Sequence, residues 1–177
     1  MTDGVTSAWV AQQATGARAL IAEGWKDGAL TIWVPGTPKH FKGKGHRYTV
    51  SRHTKDWRER TATGVLRACA PVDVMRKHAA LWGWKPATPK VIAFTVYTSG
   101  RGFDGVDNLA LVCSPCLDAL GMPRSYVRQG RQVGGHGMGI IDDDKNPAHE
   151  ITYTQVVKAK VAGIAIEIAL AGGQGGT

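Results

Sequence analysis

Apolar and β-branched residues concentrate in four short runs along the chain, and each run is typical of a β-strand. Pro35 and Gly36 end the first run, because proline has no backbone N–H and the pair favours a turn. The second run, Lys90–Tyr97, is the clearest, and we expect it to be buried on at least one face. The four runs span residues 29–34, 90–97, 151–157 and 163–168.

Three further segments have the composition of helices. Ser7–Glu23 is dominated by Ala, Gln, Arg and Leu, and Ser7 can serve as its N-cap. A second helix is predicted over about residues 54–69, and a third over Asn108–Leu120 with an interruption at Pro115. The order of these segments predicts an α+β domain, in which helices pack on one face of a small mixed β-sheet.

The 177 residues are enough for one domain with a short appendage. We expect residues 1–28 to form an N-terminal helical extension, because Gly24 and the Asp27-Gly28 pair separate it from the first strand. Residues 29–170 are expected to form the main domain. The glycine-rich residues 171–177 are expected to be a disordered tail.

Basic residues outnumber acidic ones, 22 against 14, which gives a net charge of +8 and a pI near 9.6. This excess favours a polyanionic partner, nucleic acid first and an anionic membrane surface second, although a soluble protein with a basic face fits the charge equally well. No run approaches the roughly 20 apolar residues of a membrane span, and the first residues lack the features of a signal peptide. Three cysteines are too few for a disulfide framework, so a reducing cytoplasm is the expected compartment.

Cations and aromatic side chains are interleaved between residues 39 and 60, where Phe41, Tyr48 and Trp57 lie among the basic residues. Cations contact phosphates and aromatic rings stack on bases, so this density favours nucleic-acid binding over a merely solvated basic surface. A glycine-rich loop over residues 121–139 carries further arginines and is predicted to be mobile. The predicted DNA-binding residues are Lys39, Lys42, Lys44, Arg47, Arg52, Lys55, Arg58, Arg60, Arg124, Arg128 and Arg131.

Five aspartates of this basic chain lie in two clusters. Asp104 and Asp107 follow the second strand run, and Asp142–Asp144 precede the third. Carboxylate oxygens are the ligands that Mg²⁺ prefers, and Mg²⁺ beside nucleic acid suggests phosphoryl transfer. Alternatively, Asp107 is a helix N-cap and Asp142–Asp144 form an ordinary turn. Asp118 is expected to be structural.

Several of these segments together resemble the RusA family of Holliday junction resolvases, especially versions carried by phages of high-GC bacteria. Family members show Asp-x-Asp-Asn-Leu, a helix that ends in Asp-(Ala/Gly)-Leu, and an Asp-Asp pair before the last strands. The resemblance covers roughly Leu30–Ile168 and begins with the strand and turn of Leu30–Pro38. Its most specific parts are Asp107-Asn108-Leu109, Leu117-Asp118-Ala119-Leu120 and Ile141-Asp142-Asp143.

The resemblance implies a homodimer that binds four-way DNA junctions and has no membrane partner. It also implies a location in the cytoplasm of a bacterium or of a phage-infected host. It also implies Mg²⁺-dependent cleavage of two opposed strands, with Mn²⁺ as a possible substitute. By this resemblance, Asp107 and Asp143 are catalytic metal ligands. Asp104, which stands nearest to the first aspartate of the family motif, is expected to act as a third catalytic metal ligand, and Asp142 is the next candidate ligand.

The chain departs from the family pattern at two positions. Gly105 stands where the first aspartate of the motif belongs, and the following helix has no lysine, with Ser114 near the expected position. An arginine of the 121–139 loop or Lys145 are candidates for the missing charge. The departures leave open a second function, a branched-DNA-binding protein that has lost its chemistry.

Cys113 and Cys116 form a Cys-x-Pro-Cys motif, which thioredoxin-like redox proteins use. A thiol–disulfide protein is therefore a remote alternative, and it requires an unusually acidic Cys113. The pair lies in an apolar helical stretch, so buried core thiols are the favoured interpretation. A zinc site would need two more ligands, and Cys69, His136 and His149 are isolated in sequence. We assign no role to either histidine.

Overall fold

The structure is a computed structural model that describes residues 6–10, 20–26, 28–39, 47–69, 84–123, 126–128, 131–133 and 137–172. The secondary structure elements in chain order are β1 (Thr6–Val10), β2 (Leu20–Lys26), β3 (Ala29–Pro35), α1 (Arg47–Ala68), β4 (Lys90–Tyr97), α2 (Val106–Leu120), β5 (Tyr126–Arg128), β6 (Arg131–Val133), β7 (Glu150–Val156) and β8 (Gly163–Leu170).

A mixed six-stranded sheet forms the centre of the fold, with the strand order β1-β2-β3-β8-β4-β7. Neighbouring strands are antiparallel except β4 and β7, which are parallel. Helix α1 packs against β3 and α2, and α2 packs against β7. The predicted α+β class is confirmed, as are the four predicted strands.

The hydrophobic core lies between this sheet and its two helices. Ile32, Phe94 and Ile166 are fully buried and lie opposite one another on adjacent strands β3, β4 and β8. The same face of β4 continues with Ile92 and Val96. Alternate residues of a strand point to the same face, so this pattern fixes the register of the central strands.

The β4-α2-β7 unit determines where the acidic residues lie. Parallel strands need a crossover connection, and here α2 supplies it. Because β4 and β7 run in the same direction, the C-terminal ends of both strands lie at one edge of the sheet and their N-terminal ends lie at the opposite edge. Helix α2 therefore begins near the strand ends and returns toward the strand starts.

Helix α1 begins at Arg47, seven residues before its predicted start, and it buries one face. Trp57, Thr61 and Val65 are buried at intervals of four residues, as expected for the inner face of an amphipathic helix. Gly64 allows close approach to β3, because an added Cβ would lie 2.8 Å from Ile32 Cγ2.

The prediction of a helix over Ser7–Glu23 is wrong within the described residues. Strands β1 and β2 form an antiparallel pair there, and β2 continues the sheet through β3. Residues 11–19 lie outside the described part of the chain. Helix propensity is a weak preference that tertiary pairing overrides. Here the edge of β3 offers backbone partners, and Trp25 is buried with its ring edge-on to Trp84.

The predicted interruption at Pro115 is also wrong, since α2 runs continuously from Val106 to Leu120. Proline in a helix removes one backbone hydrogen bond, but burial of eight residues of α2, Pro115 among them, stabilises the helix. The 121–139 segment contains the short β5–β6 pair. Residues 173–177 of the predicted tail lie outside the described residues. Neither helix of the described chain is long and apolar enough to cross a membrane.

Candidate functional site

The first acidic turn, residues 98–107, leaves the end of β4 and is attached to β7 by the Thr98 N–H, which donates to the Val156 carbonyl at 3.0 Å, and by the Gln155 side chain. The Phe103 N–H donates to Gln155 Oε1 at 2.8 Å, and Gln155 Nε2 donates to the Phe103 carbonyl at 3.0 Å. This amide thus satisfies both backbone groups of Phe103. Asp104 and Asp107 are exposed on this turn.

Gly105 is the N-cap of α2 and has a φ of 79°. An aspartate there would be strained in this left-handed conformation, which gives a physical reason for the glycine at the motif position. The N-cap role proposed for Asp107 is not observed, because Asp107 is the second residue of α2. Its charge still suits the positive end of the helix.

The second group of acids is fixed to the opposite end of α2 by backbone hydrogen bonds. The N–H of Met138 donates to the Ala119 carbonyl at 2.9 Å, and those of Ile140 and Ile141 donate to the Leu120 carbonyl at 2.9 and 3.1 Å. Carbonyls at a helix C-terminus lack intrahelical partners, and this segment supplies them. The triple-aspartate turn, residues 142–146, follows directly.

Asp142 is the most constrained acid of this turn. Its Oδ1 lies 2.8 Å from His149 Nε2, and the amide of Asn146 donates to both carboxylate oxygens at 3.0 and 3.2 Å. The Asp143 N–H also donates to Asp142 Oδ1, at 2.8 Å. The bond to His149 and those from Asn146 lower the pKa of Asp142 to about 2, because they stabilise the ionised form.

Asp144 contacts Asp143 and lies near Asp118, which is in the last turn of α2. The pKa of Asp144 is raised by burial, by its contact with Asp143 and by the charges of Asp143 and Asp118. Asp118 pairs with Arg58 of α1. The last turn of α2 contains no basic residue, so Arg58 brings a cation from another helix to this negative helix end.

The predicted metal ligands therefore form two groups at opposite edges of the β4–β7 pair. Asp104 and Asp107 lie where the strands end, and Asp142 and Asp143 lie where they begin. The eleven residues from Asp107 to Asp118 correspond to about 16 Å along the axis of α2. Among the described residues, no group of three or more His, Cys, Asp or Glu side chains could hold a metal ion.

The predicted DNA-binding residues have different environments. Arg52 and Lys39 are exposed. Arg58 pairs with Asp118 and is one-third exposed, whereas Lys55 and Arg60 make more exposed i,i+4 pairs with Glu59 at 3.7 Å and Asp56 at 2.9 Å. The structure gives only the backbone of Arg47, Arg128 and Arg131, and Lys42, Lys44, Arg124 and also His136 lie outside the described residues.

The cysteine motif is buried in the core. Cys113 and Cys116 have no exposed surface, and burial raises the pKa of both thiols, that of Cys116 to about 12. Thiol–disulfide chemistry needs a thiolate, so this shift has the wrong direction for the redox alternative. The structure agrees with core thiols.

Lys90 is a residue whose role the sequence did not reveal. Its side chain is fully buried at the start of β4, and Nζ donates to the carbonyls of Lys85, Pro86 and Thr88 at 2.6, 3.0 and 2.8 Å. Burial lowers the pKa of Lys90 to about 8. The Asp142 N–H donates to the same Pro86 carbonyl at 3.2 Å. Lys90 therefore supports the turn to which Asp142 is attached, and the one sign of this in the sequence is a lysine at the first position of an apolar strand.

The sequence matches no protein-family model, and no match to a curated protein was found. The family resemblance therefore depends on the motifs and their order.

Proposed function

We propose that the protein is a magnesium-dependent, structure-specific endodeoxyribonuclease that resolves four-way DNA junctions as a homodimer. The observation that carries this proposal is the contact of acids with a basic helix. The Arg58–Asp118 pair joins the cation-rich helix α1 to the end of α2 beside Asp143 and Asp144. A backbone phosphate bound by the exposed cations of α1 would therefore lie close to carboxylates.

The separation of the acids supports the dimeric part of the proposal. Within one chain, Asp107 and Asp143 belong to opposite edges of the β4–β7 pair, which are roughly 26 Å apart by the eight-residue length of β4. If two copies pack with their α2 helices antiparallel, the start of one helix meets the end of the other. Asp104 and Asp107 of one subunit would then share a site with Asp143 of its partner.

Exposed apolar side chains on this side of the molecule fit such an interface. Val106 and Leu111 of α2 are 60% and 59% exposed, and Val156 at the end of β7 is 41% exposed. β7 is also an edge strand of the sheet. Unpaired edges and exposed apolar residues are features that association removes.

A bound Mg²⁺ would polarise the scissile phosphate and activate a water molecule. The described carboxylates of a single chain do not form a three-ligand group, so the metal would need carboxylates from both subunits. Each chain would contribute a cation-rich helix, α1, that contacts the acidic end of α2 through the Arg58–Asp118 pair.

A subunit-mixing experiment tests the composite site. Asp107→Asn and Asp143→Asn homodimers should each fail to cleave a four-way junction. A purified heterodimer of the two variants retains one site with both aspartates intact, so it should nick one strand. If wild-type protein cleaves but the heterodimer does not, the acids do not act across subunits. If wild-type protein does not cleave, the nuclease proposal itself fails.

A branched-DNA-binding protein without nuclease activity is the second candidate. The observation that favours it is the absence of a three-ligand group among the described residues, together with Gly105 at the motif position. This candidate predicts tight junction binding without a metal and no nicking with Mg²⁺ or Mn²⁺.

A further inference from the structure

The carboxylate of Asp142 is one-third exposed, and its hydrogen-bond partners belong to its own turn and to the buried His149. It accepts hydrogen bonds from the Asp143 N–H, from His149 and from the Asn146 amide. Asn146 contacts both oxygens, and the other two donors share Oδ1. Oδ1, which has three donors, has little remaining capacity for another ligand, whereas Asn146 is the donor to Oδ2 among the described residues.

His149 is arranged to serve Asp142. Its side chain has no exposed surface, and its Nδ1 has no hydrogen-bond partner in the part of the chain that is described. An ionised carboxylate only accepts hydrogen bonds, so Nε2 must carry the proton that faces Asp142. Burial of an unpaired ring nitrogen is unfavourable. The hydrogen bond from His149 Nε2 to Asp142 offsets part of the cost of burying this ring.

Asp142 in turn organises the residues that follow it. Its carboxylate holds the Asp143 N–H, and the Asp143 carbonyl accepts the Asn146 N–H at 3.2 Å. The Lys145 N–H donates to Asp143 Oδ1 at 3.0 Å. These bonds close the turn around Asp142, and in this turn Asp143 contacts Asp144, which lies near Asp118.

We propose that Asp142 and His149 are positioning residues, and that Asp142 is not a metal ligand. His149 fixes the carboxylate of Asp142, which fixes the backbone of Asp143 and thereby its side chain. The consequence for cleavage rests on the proposed nuclease function, but the consequence for the turn does not. This assignment differs from the sequence-based expectation that Asp142 is a candidate ligand.

Amide hydrogen exchange tests the positioning role without any DNA. In His149→Ala, the Asp143 amide should exchange at least about tenfold faster than in wild-type protein, since its acceptor is released. His149→Gln places an N–H donor at similar reach and should restore most of the protection. Val65→Ala removes buried volume under α1 and serves as the control for general destabilisation. Equal acceleration at Asp143 in His149→Ala and Val65→Ala would overturn the proposal, as would no acceleration in His149→Ala.

Cleavage separates a positioning residue from a ligand. Asp142→Asn and His149→Ala should each slow junction cleavage by about 10- to 100-fold, the usual range for residues that orient ligands. Their effects should not add in the double variant, because the two residues act as one unit. Asp143→Asn should abolish cleavage. Loss in Asp142→Asn as complete as in Asp143→Asn would contradict the proposal. If wild-type protein does not cleave, the nuclease function fails, and hydrogen exchange alone decides the role of His149.

Discussion

Arg58 of α1 donates a hydrogen bond from Nη2 to the carboxylate of Asp118 in α2, and this pair joins the two helices beside the triple-aspartate turn. The two residues are 60 positions apart in sequence, so neither predicts the other. The pair is about one-third exposed on each side. It supplies a cation at a place where carboxylates and the negative end of α2 accumulate.

Replacement of Arg58 by Met should destabilise the fold, because Asp118 would keep its charge near Asp144 without a partner. We expect a loss of about 1 kcal/mol in the free energy of unfolding, at the upper end for partly exposed pairs. Urea unfolding of Arg58→Met, Asp118→Asn and the double variant measures this coupling. Lys55→Met breaks a more exposed pair and should cost less than about 0.5 kcal/mol. Equal losses in the free energy of unfolding would show that the Arg58–Asp118 pair stabilises the fold no more than the exposed Lys55–Glu59 pair does.

The hydrogen bonds to Asp142 should make stability depend on acid pH. Its folded pKa of about 2 is below the unfolded value of about 4. Its stabilising contribution is therefore complete above the unfolded pKa and is lost as the pH falls from about 4 to about 2. Thermal unfolding of wild-type protein and Asp142→Asn should differ most above about pH 5, and the two curves should converge toward pH 2. A difference that does not change with pH would contradict the assigned shift.

The buried thiols should be inert in the folded protein. Burial raises the pKa of all three cysteines, and thiols react as thiolates. At pH 8, a thiol reagent should label Cys69, Cys113 and Cys116 only after unfolding in guanidinium. Cys113→Ala should leave junction binding intact. Rapid labelling of Cys113 in native protein would restore the thiol–disulfide alternative.

Exposed cations of α1 should contribute to DNA affinity through counterion release. Arg52→Ala should weaken junction binding and reduce the slope of log affinity against log salt by about 1, the value for one phosphate contact. Lys160→Ala is a matched control, because Lys160 is also exposed but lies in the β7–β8 connection. An unchanged salt slope in Arg52→Ala would exclude Arg52 from the contact surface.

The strands of the core could be predicted because their signals are local. Lys90–Tyr97 was predicted with the observed bounds, since a compact apolar run carries its own signal. The helix prediction before Gly24 is wrong, because β1 and β2 pair with each other there and β2 joins β3 through residues 24–26. The amino-acid composition of a segment does not show whether another strand will pair with it.

The candidate site was harder to predict, because spacing along the chain does not show which sheet edge a residue occupies. Asp107 and Asp143 appear as parts of one motif, yet the parallel pairing of β4 and β7 puts their turns at opposite edges. Lys90 and His149 bond to turns only four and seven residues away along the chain, but the sequence does not show that the folded structure buries both side chains.

The most direct test of the nuclease proposal is cleavage of a synthetic four-way junction compared with linear duplex DNA. Wild-type protein, Asp107→Asn and Asp143→Asn should be assayed with Mg²⁺, with Mn²⁺ and with a chelator. We expect paired nicks near the branch point from wild-type protein only when a metal is present. Both variants should bind the junction without cutting it, since loss of one acid leaves the basic surface intact. Junction binding by wild-type protein without nicks under any of these conditions would contradict the account and support the DNA-binding alternative.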